Sequence, residues 1–332
     1  MRFVLVIGTT ETASIDGISA AGATRELMTH TPSADAEIVE YGKPVYAPVT
    51  PISPSGCPTP AVMTRGVREL IDFDLTVIES GLSTQTAAPT VELGDQPGLE
   101  IRESSCVPNA EQVVESARTF GQALPTDEVV IGESIPGGTT TAFGVLSALG
   151  EPYTVSSSLM NNPLNLKEEV VAAGLEASGL QAGEATGDPL RALRCMGDPV
   201  LAAVTGLAIG AIESDTTVWL AGGTQMLTAG ALIRHFGIEV PLGLATTPFV
   251  VRDDTIEIGE ATHDLGISLS VSDPEFERAD HAALNPYVKG AAKEGVGMGG
   301  ALMLADRRGT QMVHVRDRII DCYERLVSTN GS

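Results

Sequence analysis

Lysine is nearly absent from this 332-residue sequence, which contains only Lys43, Lys167, Lys289 and Lys293. With 43 acidic residues against 20 basic ones, the formal net charge is −23, a sign that repels nucleic acid and anionic membrane and removes both from the expected partners. A surface so acidic suits a solvated protein in a high-salt cytoplasm. The same scarcity makes each retained lysine a candidate for a task. Aromatic residues make up only 4%, while Ala, Val, Gly and Leu abound, a composition that favours parallel strands under tightly packed helices over an antiparallel sandwich. No run approaches the roughly 18 apolar residues of a membrane helix. The opening MRFVLVIGTTETASIDG becomes polar too soon for a signal peptide, so a cytoplasmic location is expected. The four cysteines, Cys57, Cys106, Cys195 and Cys322, form no C-x-x-C pair and the five histidines are scattered, so no zinc pattern exists and no metal or other cofactor is expected. No serine occupies a G-x-S-x-G elbow, and no cysteine has a histidine nearby, which leaves serine or cysteine hydrolase chemistry without support.

What is present is a recurring strand, loop and helix. RFVLVIG, FDLTVIESG, DEVVIGES, TTVWLAGG and PLGLATTPFVV read as short apolar strands. AVMTRGVREL, the segment after PNAEQ, TTTAFGVLSALG, LKEEVVAAGLEASGL, PVLAAVTGLAIGAI and TQMLTAGALIRHFG read as helices. Such alternation means parallel βαβ units, whose ligands bind at the carboxyl ends of the strands. The fold class expected is therefore α/β, a Rossmann-like parallel sheet flanked by helices, with a smaller subdomain. The segment YGKPVYAPVTPISPSGCPTP carries too many breakers for a core helix or central strand. The chain reads as one unit, with a core over roughly residues 70–260 and the smaller subdomain in roughly 1–60 plus 270–330.

Four loops carry candidate chemistry. GESIPGGTTTA nearly spells G-x-x-x-x-G-K-[ST], with Gly132, Gly137, then Gly138 in the lysine's place and Thr139 after it. Glycines and threonines delivered to a helix start present N–H groups and hydroxyls at the positive end of the helix dipole, which suits a phosphate. With no lysine in the loop and no Walker B run, a monophosphate fits better than a triphosphate, and Gly137, Gly138, Thr139 and Thr140 are the residues to hold it. The structural alternative is a plain βα turn capped by threonine. Glu133, in the same loop, is suited either to anchor a ribose hydroxyl or to hold a neighbouring backbone amide. In KEGVGMGGALML, Gly295, Gly297 and Gly300 match G-x-G-x-x-G only formally, since no strand precedes them and no acidic residue follows on a second strand. What that loop offers is Glu294 just before glycines that hold the backbone open, either a carboxylate that meets a flat ligand closely or a helix cap. VSSSLMNNPLNLKEEVV supplies Ser156, Ser157 and then Lys167, which can replace the cation missing from the first loop. AGGTQM places Gly222 and Gly223 at another strand end lining the same crevice.

The strings IGESIPGGTTTA, VSSSLMNNP, GDPVLAAVTGLAIG and KEGVGMGGA, in this order, resemble the archaeal branch of the nicotinate-nucleotide:dimethylbenzimidazole phosphoribosyltransferases, enzymes of cobamide assembly. VIGTTETASIDGISAAGA, GCPTPAVMTRG and ELGDQPGLEIRESSCVPNAEQV extend the likeness over nearly the whole chain. The bacterial G-E-x-x-x-G-N-T-T loop maps onto Gly132, Glu133, Gly137, Gly138, Thr139 and Thr140, and the G-E-G-x-G loop onto Glu294, Gly295 and Gly297. Gly138 stands where the bacterial loop has asparagine, and Lys293 where it has glycine. The N-terminal third does not match the bacterial segment that holds the benzimidazole, which leaves the base open. The resemblance implies transfer of the 5-phosphoribosyl group of nicotinate mononucleotide to a benzimidazole-like base by a homodimer with a largely helical smaller domain. Glu294 is then the general base, with apolar neighbours such as Met298 raising its pKa, and Glu133 sits near the ribose or stabilises the cationic transition state. A rival reading is a non-catalytic phosphosugar or nucleotide sensor that uses the same loops without turnover.

Overall fold

The structure, a computed structural model, describes residues 1–329 except Ala20, Ala23 and Pro54. Seven strands form one sheet: β1 (Arg2–Ile7), β2 (Asp74–Ser80), β3 (Thr90–Gly94), β4 (Glu128–Ser134), β5 (Thr217–Ala221), β6 (Gly243–Thr246) and β7 (Ser268–Val271). Their order is β3-β2-β1-β4-β5-β6-β7 and every pair is parallel. The expected α/β sheet is thus present. Helices of eight residues or more are numbered in chain order: α1 (Thr31–Tyr41), α2 (Ala61–Ile71), α3 (Ala110–Gln122), α4 (Gly138–Leu149), α5 (Leu164–Ala177), α6 (Pro189–Met196), α7 (Pro199–Glu213), α8 (Thr224–His235), α9 (Met298–Arg307) and α10 (Met312–Thr329).

The alternation of β1 shows how the two faces are filled. Val4 and Val6 enter one core with α3, α4, α7 and α8, whereas Phe3, Leu5 and Ile7 enter the other with α1, α2, α9 and α10. A strand buried on both faces must be apolar at its buried positions, which is what Phe3 to Ile7 supply after Arg2 at the edge. The placement of β1 differs from the expected division, which put residues 1–60 outside the core: β1 pairs with β2 and β4 at the middle of the sheet. Likewise α9, in the stretch expected to be peripheral, packs on β4, β5 and β6. The proline-rich excursion misled the boundary, because breakers mark a local interruption and not the edge of a folding unit. Strand order reverses direction between β1 and β4, since the chain winds outward through β2 and β3 and then outward the other way through β5, β6 and β7. That reversal opens a crevice at the carboxyl ends of β1 and β4.

Candidate active site

β4 ends at the crevice and carries Glu133 into it. Beside it runs the loop 292–297, brought into contact by two glycines. A Cβ on Gly132 would lie 2.7 Å from the Gly297 Cα, so neither strand nor loop tolerates a side chain there. The contact is pinned by the Val296 amide, which donates to the Glu133 carbonyl at 2.8 Å, while the Val296 carbonyl accepts from Thr64 Oγ1 at 2.8 Å. Those bonds hold Val296 at φ 53°, a left-handed value that costs a β-branched residue on the order of 1–3 kcal/mol. The chain thus accepts strain in order to set Glu294 opposite Glu133.

Glu294 Oε1 accepts from the amides of Gly299 (2.8 Å) and Gly295 (3.3 Å), at the start of α9. Its Oε2 is buried with no partner among the described residues, because the nearby Thr247 hydroxyl donates to the Lys293 carbonyl at 2.7 Å. Burial pushes its carboxyl up to about 8, with the Glu133 charge adding to the rise and the two amides opposing it. Burial also pushes Glu133 up to about 8, aided by the charges of Asp198 and Asp35. The ionised form of Glu133 therefore makes the ionisation of Glu294 harder.

The opposite wall is cationic. Gly137, at φ 82°, turns the chain into α4, whose first turn presents Gly138 and Thr139 to the cleft. Lys167 is 0% exposed, and its Nζ donates to Thr139 Oγ1 at 3.0 Å and to the Ser156 carbonyl at 2.9 Å. Among the described residues no carboxylate forms an ion pair with it, and burial, then the nearby Lys293 charge, lowers its amine to about 7 against the pull of the Asp253 charge. Lys293 Nζ donates to the Ser157 carbonyl (2.8 Å) and the Leu159 carbonyl (3.2 Å) and pairs with Asp253 at 3.3 Å. Burial opposes the Asp253 charge, yet hydrogen bonds from Ser156 and Thr255 and the Lys293 charge keep its carboxyl below the usual range.

The cleft between these walls measures about 1020 Å³, its open mouth included. Glu133, Gly137, Gly138, Thr139, Ser156, Ser157, Gly223, Glu294 and Gly295 line it together, though they come from four separated stretches of the chain. Lys167 and Thr140 lie fully buried and are not among the lining residues; Gly222, Gly297 and Met298 are likewise buried outside the lining. Gly297 serves the site through its contact with β4.

Several lining residues escaped the sequence reading. Asp35, on α1, accepts from Thr59 Oγ1 (2.5 Å) and Ser134 Oγ (2.6 Å), and burial raises its carboxyl to about 6 despite those bonds. Pro51, Cys57, Pro58 and Pro60 of the breaker-rich excursion form an apolar wall. Gln225 lines the cleft with its Nε2 on Asp198 Oδ2 at 2.9 Å, and Asp198 also caps α7 through the Leu201 amide at 2.7 Å. Burial raises the Asp198 carboxyl against its hydrogen bonds. Asp198, which lies behind Gln225 and outside the lining, had a visible signal as an aspartate before a proline at a helix start, and that signal reports a cap, not a site. Among the described residues no helix is long and apolar enough to cross a membrane.

No protein-family model matches the chain. A UPF0284 protein of Halobacterium salinarum is 57% identical over 325 residues, 98% of either chain. UPF0284 proteins of Methanosarcina mazei (44% over 322 residues, 96% of this chain and 92% of that one) and Thermococcus onnurineus (42% over 333 residues, 99% and 98%) are also similar. Among solved structures, the fold is similar to that of a nicotinate-nucleotide-dimethylbenzimidazole phosphoribosyltransferase from Thermus thermophilus, with a TM-score of 0.63 over 94% of this chain and 82% of that one at 15% identity. A structure of CobT from the same organism gives a TM-score of 0.63 over 95% and 83% at 16% identity. At such identities the likeness establishes a common fold. The full-length identities with the archaeal proteins are far higher, and on them the chain belongs to the UPF0284 family.

Proposed function

We propose that this protein transfers the 5-phosphoribosyl group of nicotinate mononucleotide to a benzimidazole-like base, releasing nicotinate and an α-riboside 5′-phosphate for the lower ligand of a cobamide. The observation that carries this reading is the pair Glu133 and Glu294, both raised to about 8 and facing a lysine-backed helix start across one cleft. The sequence motifs and the shared fold with the Thermus thermophilus enzyme support it. The phosphate lies against Gly137 to Thr140 at the start of α4, with the Lys167 and Lys293 charges behind it and Ser156, Ser157 and Gly223 beside it.

Chemistry then needs a single proton acceptor. The bond between C1′ and the pyridinium nitrogen breaks, its electron pair neutralises the ring, and nicotinate departs with no acid required. The pyridine-type nitrogen of the base attacks C1′ from the opposite face, so the configuration inverts, and the proton on the other ring nitrogen passes to Oε2 of Glu294. Glu133, in its ionised form and with the negative field of Asp35 and Asp198 behind it, stabilises the positive charge that develops on the ribose. Holding phosphate and anomeric carbon at two fixed points supplies the alignment for in-line attack. The chain acts as a homodimer in the cytoplasm in this reading. Its acidic excess and its Halobacterium salinarum relative point to a high-salt working environment.

The test is incubation with nicotinate mononucleotide and a panel of benzimidazoles and purines, following nicotinate release and riboside phosphate formation. Turnover with at least one base is expected. Binding of the nucleotide without nicotinate release for any base would instead favour a phosphosugar or nucleotide sensor.

A further inference from the structure

Besides Glu294 Oε2, two polar atoms of the cleft wall have no partner among the described residues: Thr224 Oγ1 and Gln225 Oε1, on residues 2% and 4% exposed at the first turn of α8. The glutamine is the more informative. Its Nε2 donates to Asp198 Oδ2, and that bond fixes which end of the amide is which, leaving Oε1 as a pure acceptor. A buried acceptor without a donor is costly and rare, so its position calls for a ligand atom. The neighbourhood selects which one. A Cβ on Gly138 would stand 3.0 Å from Gln225 Oε1, so the oxygen lies beside the turn proposed to hold the phosphate. Glu133, on the proposed anomeric side, lines the same cleft as Gln225. A phosphate oxygen or a carboxylate would be repelled by this acceptor. What lies between a 5′-phosphate and C1′, and can donate, is a sugar hydroxyl.

Resting on the transferase reading above, we infer that Gln225, held by Asp198, accepts a hydrogen bond from a ribose hydroxyl of the nucleotide and makes the site selective for ribonucleotides over deoxyribonucleotides. Asp198 acts as a positioning residue, because it touches the glutamine and not the sugar. Without the Asp198 bond the amide is free to turn its NH₂ toward the cleft and lose the selectivity.

The experiment compares dissociation constants of nicotinate mononucleotide and its 2′-deoxy and 3′-deoxy analogues on the wild-type protein and on Gln225→Met, by calorimetry. One of the two analogues is expected to bind the wild-type protein roughly 5- to 50-fold more weakly than the natural nucleotide, the loss of one hydrogen bond to a buried group. In Gln225→Met that discrimination should fall below about threefold, because the acceptor is gone. The inference is overturned if both analogues match the natural nucleotide on the wild-type protein, a comparison that requires no variant to fold. It is overturned equally if the discrimination persists unchanged in Gln225→Met. If the natural nucleotide itself fails to bind, the transferase reading falls and takes this inference with it. Equal binding of all three nucleotides alongside nicotinate release removes only the role of Gln225.

Discussion

Replacing Glu294 with glutamine isolates proton transfer from everything else the residue does. The amide oxygen of the variant can still accept from Gly295 and Gly299, so the loop 292–297 and the start of α9 should keep their shape. What disappears is the basic, unpartnered Oε2. Nucleotide affinity should therefore change little, while transfer falls by about 10²- to 10⁴-fold, the usual worth of a positioned general base. The wild-type pH profile gives the second half of the test. With the carboxyl near 8, only about a tenth of the molecules hold an ionised base at pH 7 and about nine tenths at pH 9, so the rate at saturating nucleotide should rise nearly tenfold between them. The glutamine variant should show no such rise. Glu133→Gln removes a like charge from beside Glu294 and should move the midpoint of the remaining profile to lower pH. Stopped-flow or discontinuous measurement of nicotinate release across pH 6 to 10 reads all three. Transfer by Glu294→Gln within tenfold of the wild type, or a residual rate that still climbs toward pH 9, would show that another group takes the proton.

Three further outcomes follow from contacts elsewhere in the site and fold. Gly132→Ala drives a methyl to within 2.7 Å of the Gly297 Cα and should push Glu294 out of register with Glu133, lowering single-turnover nicotinate release by roughly 10²-fold while the protein stays folded by circular dichroism. Because the Lys167 amine sits near 7 in the free protein and an anion binds its protonated form, nucleotide affinity measured by calorimetry should weaken as pH rises above 7, and Lys167→Met should flatten that dependence. Glu69, on α2, is the third case. Burial would raise its carboxyl, but hydrogen bonds from Arg325, Arg65 and Arg318 outweigh this and bring it to about 2. A folded carboxyl below its unfolded value adds stability above about 4.5 that disappears as pH falls toward 2, so Glu69→Gln should cost about 1–2 kcal/mol at pH 7, after discounting for solvent screening, and nearly nothing at pH 2 by urea denaturation.

Strand and helix types were legible in the sequence wherever an apolar run met a glycine loop and then an amphipathic helix. β4 with α4 and β5 with α8 are the clear cases, because both strand and helix bury a continuous apolar side. β1 was visible as a strand, but not as the middle of the sheet, since strand order is decided by which faces pack and not by any local pattern. The site was half legible for the same reason. Glycine loops at strand ends announce themselves, and rarity singled out Lys167, which the fold brings to Thr139. Asp35 was not legible: it lies in an otherwise ordinary helix, and its importance arises only when Thr59 and Ser134 fold around it. Gln225 needed the Asp198 contact, made across 27 residues of chain.

The charge layout of the cleft bears on catalysis against mere binding. An anion receptor needs the corner at α4, where Lys167 bonds Thr139 at a helix start, and it gains nothing from carboxylates. Yet Asp35, Glu133 and Glu294 line the same space with Asp198 behind Gln225, and burial drives each of their carboxyls upward. Buried carboxyls in such numbers destabilise a fold that has no use for them. A substrate with a fixed anionic end and a centre that becomes cationic during reaction makes use of both halves at once. In the proposed reaction the phosphate takes the lysine corner, and the ribosyl centre grows positive where the carboxylates converge. The strained Val296 fits this division of labour, since its two backbone bonds serve to keep the loop carrying Glu294 against the strand carrying Glu133.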